Sequence, residues 1–285
     1  GIDLEAWQDL GFSADFARRQ AQVVDSYEGL GVRPTCTCTP YLIGNRPQVG
    51  EHVAWAESSA VSYANSVLGA RTNREGGPSA MAAAITGRTA AYGLHLDEAR
   101  RASLEVEVAC PVRSLADFGA LGYLVGKRAQ NRVPFFRVAG SGLDAPTEAD
   151  LKALGAAMAA SGAVALYHVE GVTPESDRPD LLLPDHDTYR IDDLAPAYAA
   201  LNADAREIDL VWFGCPHASV EEIRQIAELL EGRRITSDLW ISTSRDVRRL
   251  AVDAGLVEAI EACGARVVAD MCVVVAPMQE LNYRT

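Results

Sequence analysis

Residues Asp209–Leu230 read DLVWFGCPHASVEEIRQIAELL, and the punctuation of this stretch decides the fold class. Asp209 to Phe213 is a short run of strand formers, and Gly214-Cys215-Pro216 ends it. Ser219 with Glu222 has the form of a capping box. In such a box each side chain satisfies a backbone N–H of the other's residue, and this one opens an amphipathic helix to about Leu230. Strand, tight turn, helix is half of a crossover unit. Downstream, Leu239 to Ser242 reads as a strand, Asp246 to Cys263 as a helix and Arg266 to Val275 as a strand. Alternation of this kind predicts an α/β fold with mixed or parallel sheets and crossover helices.

Upstream the same rules predict a strand at Val133 to Val138, a helix at Glu148 to Ala160 followed by Gly162, and a strand at Ala163 to Val169. The first half is less regular. Phe12 to Leu30 reads as a helix with Ser13 as N-cap, and a Thr/Cys/Pro loop follows at Pro34 to Pro40. Ala54 to Leu68 has helical spacing. A polar loop, Gly69 to Ser79, leads into a small-residue helix ending near Gly87, and Ser103 to Cys110 alternates as a strand does. A soft boundary near Asn131 predicts two domains, 1–131 and 132–285.

Composition narrows the function. The chain has 285 residues, 48% of them hydrophobic, which suffices for a packed core and excludes global disorder. Its net charge of −13 disfavours nucleic acid and anionic membranes as partners, while leaving room for a local arginine cluster on a small anion. The longest uncharged stretch, Ala153 to Val169, is too short and too punctuated for a membrane span. With no export signal, the expected location is cytoplasmic. The first residue is Gly1, which suggests a processed chain or a fragment. Six cysteines in this setting read as thiols, metal ligands or catalytic groups rather than as a disulfide scaffold.

Several chemistries lack their motifs. Residues 122–128, GYLVGKR, approach a phosphate loop, but the glycine spacing is one residue short and Arg128 replaces the hydroxyl that would bind magnesium. Gly140-Ser141-Gly142 lacks the third glycine of a dinucleotide fingerprint, and no CxxC, HExxH or GxSxG pattern occurs.

The cysteines are more informative. Cys38 sits in PTCTCTP, residues 34–40. Cys215 follows a strand and precedes a helix N-terminus, which favours a thiolate, and Cys272 follows the last crossover. Three converging thiolates suit an iron–sulfur cluster with one iron open to substrate. Three buried small apolar residues explain the same spacing, and Cys36 competes with Cys38. Cys110 and Cys263 end apolar stretches and read as core. A second unusual block runs from Gly50 to Gly77, where Ser58, Asn65 and Ser66 stand among alanines. Polar groups in such a setting either line a site or pack against backbone. Arg71-Thr72-Asn73-Arg74 follows, with two guanidiniums that either fork onto a carboxylate or phosphate or form structural ion pairs. Lys127 is a further anion candidate. His217 either caps its helix or orients a ligand, and Glu170 ends a strand where it could face the site.

Together PTCTCTPY (34–41), the Gly50–Gly77 block with Pro78-Ser79-Ala80, Gly87-Arg88-Thr89, YGLHL (92–96), GCPHAS (214–219) and Ala269-Asp270-Met271-Cys272 resemble the aconitase X family over nearly the whole chain. The resemblance implies an aconitase-like fold and an iron–sulfur hydro-lyase that dehydrates mevalonate 5-phosphate or cis-3-hydroxy-L-proline. The CTCTP loop favours the mevalonate-phosphate branch. It implies Cys38, Cys215 and Cys272 as ligands of a 2Fe-2S, 3Fe-4S or 4Fe-4S cluster. Ser58, Asn65, Ser66, Arg71, Thr72, Asn73, Arg74 and Lys127 are then expected around a small anionic substrate. It also implies a small swivel part, separate or fused, that brings the catalytic base and that no segment here resembles. The family's large part normally extends beyond both ends of this sequence, so an alternative is a non-catalytic large subunit active only with its partner.

Overall fold

The computed structural model describes residues 1–137, 143 and 146–284. The chain divides into two compact units, one formed by Gly1–Gly44 with Asp204–Thr285 and the other by Asn45–Ala203. The division expected near Asn131 falls inside the second unit, in the turn between a helix and a strand.

The first unit contains helix α1 (Ala14–Gly29), whose N-cap Ser13 accepts from the Phe16 N–H as the sequence predicts. The strands β5 (Leu210–Phe213), β6 (Asp238–Thr243) and β7 (Arg266–Ala269) form a parallel sheet in the order β5-β6-β7. The crossovers are α7 (Val220–Leu230) and the pair α8 (Arg245–Asp253) and α9 (Leu256–Ala262). Ser219 and Glu222 form the predicted capping box. The single helix expected over 246–263 breaks at Gly255, whose φ of 72° is the left-handed conformation that glycine adopts without strain. The strand expected to reach Val275 stops at Ala269, because Asp270 turns at φ 55°. Alternation along β6 and β7 splits the core. Ile241 and Val267 pack with Ile223, Val257 and Ile260 on the helix side, while Trp240 and Val268 pack with Ile2, Phe12 and Met271 on the other.

The second unit contains α2 (Ser58–Ser66), α3 (Gly77–Thr86), α4 (Leu115–Ala129), α5 (Glu148–Gly162) and α6 (Ala195–Leu201). Strands β1 (Ala102–Val108), β2 (Pro134–Arg137), β3 (His168–Val169) and β4 (Leu182–Ile191) form a parallel sheet in the order β3-β2-β1-β4. Helix α4 is absent from the sequence reading. Its glycines are those of the near-phosphate-loop, and they serve helix packing: a Cβ on Gly122 would stand 2.6 Å from the Leu154 carbonyl oxygen, and one on Gly126 3.0 Å from the Met158 backbone. Gly140-Ser141-Gly142 lies outside the described residues. Among those described, no helix is long and apolar enough to cross a membrane.

Candidate active site

In the first unit, the three cysteine-bearing segments meet on one buried imidazole. The Nε2 atom of His217 lies 2.8 Å from the Met271 carbonyl oxygen, and a carbonyl only accepts, so Nε2 carries the proton. In the neutral ring, Nδ1 then accepts from the Thr37 hydroxyl at 2.9 Å. The backbone N–H of His217 donates to Cys38 Sγ at 3.1 Å. One residue thus ties together the neighbours of Cys38, Cys215 and Cys272. It does not cap α7, which Ser219 does. Two further ties hold the same place: the Ser242 hydroxyl donates to the Met271 carbonyl oxygen, and the Ala218 N–H donates to the Ser242 carbonyl oxygen at 2.9 Å. The Asp270 carboxylate accepts from the backbone N–H of Arg245 at 2.9 Å and from its Nε at 3.0 Å, and Arg245 also reaches Asp3 at 2.8 Å. The donor set, three thiols on three segments pinned to one group, with Cys215 and Cys272 following the carboxyl ends of β5 and β7, fits the chemistry of a thiolate-ligated cluster. Among the described residues, no three His, Cys, Asp or Glu side chains already stand close enough together to hold a metal ion. Cys36 is exposed and sits at φ 44°. Cys110 lies in the hydrophobic core, as read from the sequence.

In the second unit, Asn65, Ser66, Thr72 and Asn73 of the Gly50–Gly77 block are held by hydrogen bonds within the block and to residues beyond it, while the buried Ser62 hydroxyl has no hydrogen-bond partner among the described residues. Buried Asn65 has every hydrogen-bonding valence filled. Its amide donates to the Thr72 carbonyl oxygen at 2.8 Å and the Ala165 carbonyl oxygen at 2.9 Å, and its oxygen accepts from the Thr72 N–H at 3.0 Å and Arg100 Nη1 at 3.0 Å. The Thr72 hydroxyl accepts from the Trp55 N–H, the Ser66 hydroxyl from the Tyr167 N–H, and Asn73 bridges the Tyr92 carbonyl and the Leu94 N–H. These side chains frame the block from within, and a substrate would have to displace a protein partner to reach any of them. Ser58 opens α2 beside its N-cap Glu57, whose carboxylate accepts from the Ala60 N–H at 2.6 Å.

The arginines divide. Arg71 is committed to ion pairing: it bonds the Asp97 carboxylate, which it holds below the usual carboxylate range, and donates to the His95 carbonyl oxygen at 3.0 Å. Arg74 is exposed and donates to the Ala163 carbonyl oxygen at 3.2 Å. Lys127 sits in the last turn of α4, over the Tyr123 ring at 5.6 Å. Glu170 pairs with Arg137 at 2.8 Å.

Sequence reasoning missed the centre of this network. Arg100 is fully buried and spends every N–H. It forks onto Glu175 at 2.7 and 2.5 Å, and donates to Leu94 and to both oxygens of Asn65 at 3.0 Å. Its partners lie 35 and 75 residues away in the chain, so no local spacing marks it. Buried His168 donates Nε2–H to the Arg100 carbonyl oxygen at 2.9 Å, and burial pushes its pKa down to about 4. Beside Arg71, His52 and His95 stack with their Nδ1 atoms 2.8 Å apart. One nitrogen must donate and the other accept, and burial, then the neighbouring His52, lowers the His95 pKa.

A concavity of about 540 Å³ opens between α3 and the turn that follows it. Asn73, Glu75, Ser79, Thr86, Arg88 and Tyr92 line it, above Ala82 and Ala83. Of these, Asn73 belongs to the set that the sequence marks for substrate.

The comparisons with known proteins agree along the whole chain. The family profiles called aconitase X first, second and third domain match residues 1–98, 102–198 and 208–285. A phosphomevalonate dehydratase large subunit from Methanothermobacter thermautotrophicus is 53% identical over 287 residues, covering 99% of this chain and 70% of that protein. The protein of the same name from Methanocaldococcus jannaschii is 45% identical, covering 100% and 72%. A cis-3-hydroxy-L-proline dehydratase from Pseudomonas aeruginosa is 38% identical, covering 95% and 48%. The crystal structure of Thermococcus kodakaraensis aconitase X in its holo-form superposes with a TM-score of 0.89 at 45% identity, over 96% of this chain and 70% of that one. With three consecutive domain profiles and a parallel α/β architecture in common, the chain belongs to the aconitase X family.

Proposed function

We propose that the chain is the large subunit of a hydro-lyase that removes water from mevalonate 5-phosphate. The observation that carries this reading is the graded similarity. Two relatives named phosphomevalonate dehydratase large subunit share 53% and 45% identity and are covered to 70% and 72% of their length, whereas the cis-3-hydroxy-L-proline dehydratase shares 38% and is covered to 48%. In this reading Cys38, Cys215 and Cys272 hold an iron–sulfur cluster, and His217 fixes the three segments that carry them. The bound cluster supplies Lewis-acid chemistry for loss of a hydroxyl. The protein's own work is to hold the ligand loops, orient an anionic substrate and exclude water. The base that takes the adjacent proton comes from a small subunit, the partner that the relatives' name implies.

The test is anaerobic reconstitution with iron and sulfide, with and without the small subunit, assayed on mevalonate 5-phosphate and on cis-3-hydroxy-L-proline. We expect alkene formation from the first substrate only, and only with both iron and the small subunit present. Cys215→Ala should abolish iron retention. Protein that stays colourless and iron-free after reconstitution, or that turns over the proline substrate alone, overturns the reading.

A further inference from the structure

We propose that the Thr37 hydroxyl and the His217 imidazole form a latch that holds Cys38, rather than Cys36, in place as a cluster ligand, a proposal that rests on the cluster reading above. Cys36-Thr37-Cys38 offers the site one thiol too many. In an extended loop both cysteines would face the same way, since side chains alternate with a period of two. Cys36 is also a near competitor. Asp270, two residues before Cys272, lies close enough for its charge to act on the Cys36 thiol. The fold must therefore choose between the two.

The choice is built from hydrogen bonds that need no metal. Nε2 of His217 carries its proton, because it faces the Met271 carbonyl oxygen at 2.8 Å, so Nδ1 of the neutral ring is an acceptor. The Thr37 hydroxyl spends its one hydrogen on that nitrogen at 2.9 Å. Only lone pairs then remain on the hydroxyl, and two donors take them: the Thr39 N–H at 3.1 Å and the Thr39 hydroxyl at 3.2 Å. Thr39 is fully buried, and His217 is buried too. Cys38 is thus flanked on both sides by threonines tied to one ring, and its own Sγ accepts from the His217 N–H at 3.1 Å. The ring in turn hangs on the Met271 carbonyl, which the Ser242 hydroxyl also holds. Cys36 lies outside this arrangement. Its backbone is left-handed at φ 44°, which breaks the alternation, and the residue is exposed while Cys38 is half-buried. Hydrogen-bond partners that orient a metal ligand in this way set how firmly the metal is held.

The experiment compares wild type, Thr37→Val and Thr37→Ser, each as the anaerobically reconstituted chain and as the iron-free chain. Valine keeps the shape of threonine without the hydroxyl, and serine keeps the hydroxyl. Thiols are alkylated with iodoacetamide and located by mass spectrometry, and iron loss to a chelator is followed by visible absorption. In the iron-free chain we expect Cys38 to react about tenfold faster in Thr37→Val than in wild type, with Cys36 unchanged and Thr37→Ser near wild type. In the reconstituted wild type, Cys38 should be protected while Cys36 reacts. Thr37→Val should lose iron roughly ten- to a hundredfold faster and shift part of the protection from Cys38 to Cys36. A purely structural role for the hydroxyl would lower the melting temperature and leave the reactivity and protection of Cys38 as in wild type, and that result overturns the proposal. So does a wild type in which iron protects Cys36 and leaves Cys38 open, or a Thr37→Ser that behaves as Thr37→Val. Wild type that takes up no iron overturns the cluster reading by itself. Faster alkylation of Cys38 in iron-free Thr37→Val then still supports the latch, and equal rates in all three proteins remove it.

Discussion

Buried histidines make the stability of the second unit depend on pH. His168 is 1% exposed, donates to the Arg100 carbonyl oxygen and has a pKa pushed down to about 4 by burial. The unfolded chain takes up this proton near pH 6.5, so between those values the unfolded state binds more protons than the folded one. The neutral imidazole therefore contributes stability that is complete above about pH 6.5 and lost as pH falls toward 4, amounting to roughly 2–3 kcal/mol by pH 4.5. His168→Gln keeps an N–H for the same carbonyl and removes the titration. Chemical denaturation at pH 7 and pH 4.5 should show a smaller loss for the variant by about that amount, and identical losses would refute the assignment. The same network shows what a sequence can say at this scale. Asn65 and Ser66 are legible as polar groups among alanines that demand partners. Which partners is not legible, because Ala165 lies 100 residues from Asn65 and Arg100 lies 35 away. In the folded chain Asn65 and Ser66 bond backbone groups of residues 72, 165 and 167.

Helix packing is where small residues carry energetic weight. Helices α4 and α5 meet so closely that a Cβ on Gly162 would stand 1.8 Å from the Gly126 carbonyl oxygen. Gly126→Ala should destabilise by about 1–3 kcal/mol, since its Cβ would lie 3.0 Å from the Met158 Cα and carbonyl oxygen, neither of which can swing away. Gly119→Ala, on the same helix with nothing within 4 Å of the added methyl, should stabilise by up to about 1 kcal/mol through helix propensity. Equilibrium melts of the two variants should move in opposite directions, and a Gly126→Ala midpoint at or above wild type would contradict the close-packing account. Elements with local punctuation are legible in the sequence: Ser13, Ser219 with Glu222, and Gly87 mark real caps. Elements made by tertiary context are not. Helix α4 hides behind its packing glycines. Strand β4 reads LLPDHDTYRI, without alternation and with Pro184 inside it, and survives because it pairs only with β1 at the sheet edge. The Cys215 and Cys272 loops are legible for a related reason: turns after strands are local, whereas the imidazole that joins them to the Cys38 loop acts across 180 residues to Thr37.

The path of the chain through its two units has a consequence for folding. The first unit closes on itself from both ends of the sequence, as Arg245 to Asp3 at 2.8 Å and Arg266 to the Asp9 carbonyl oxygen at 2.9 Å illustrate. Between them, residues 45–203 leave and return as one continuous segment. That segment contains its whole sheet, β1 to β4, and a core in which Leu104, Val106, Phe136, Leu154, Met158 and Tyr167 pack together. Its junctions are exposed, at 44–46 and 202–207. Its ion-pair hub, Arg100 with Glu175, also lies within it. A contiguous segment with its own core and its own buried ion-pair hub meets the physical conditions for independent folding. Residues 45–203 expressed alone should therefore unfold in one cooperative denaturant transition, with dispersed amide resonances and a near-ultraviolet signal from ordered aromatics. The separated first unit faces the opposite situation, since its two pieces must find each other without the connecting segment, at a closure cost that grows only slowly with loop length. A broad, non-cooperative transition for 45–203, with secondary structure but no near-ultraviolet signal, would mean that its packing depends on the rest of the chain.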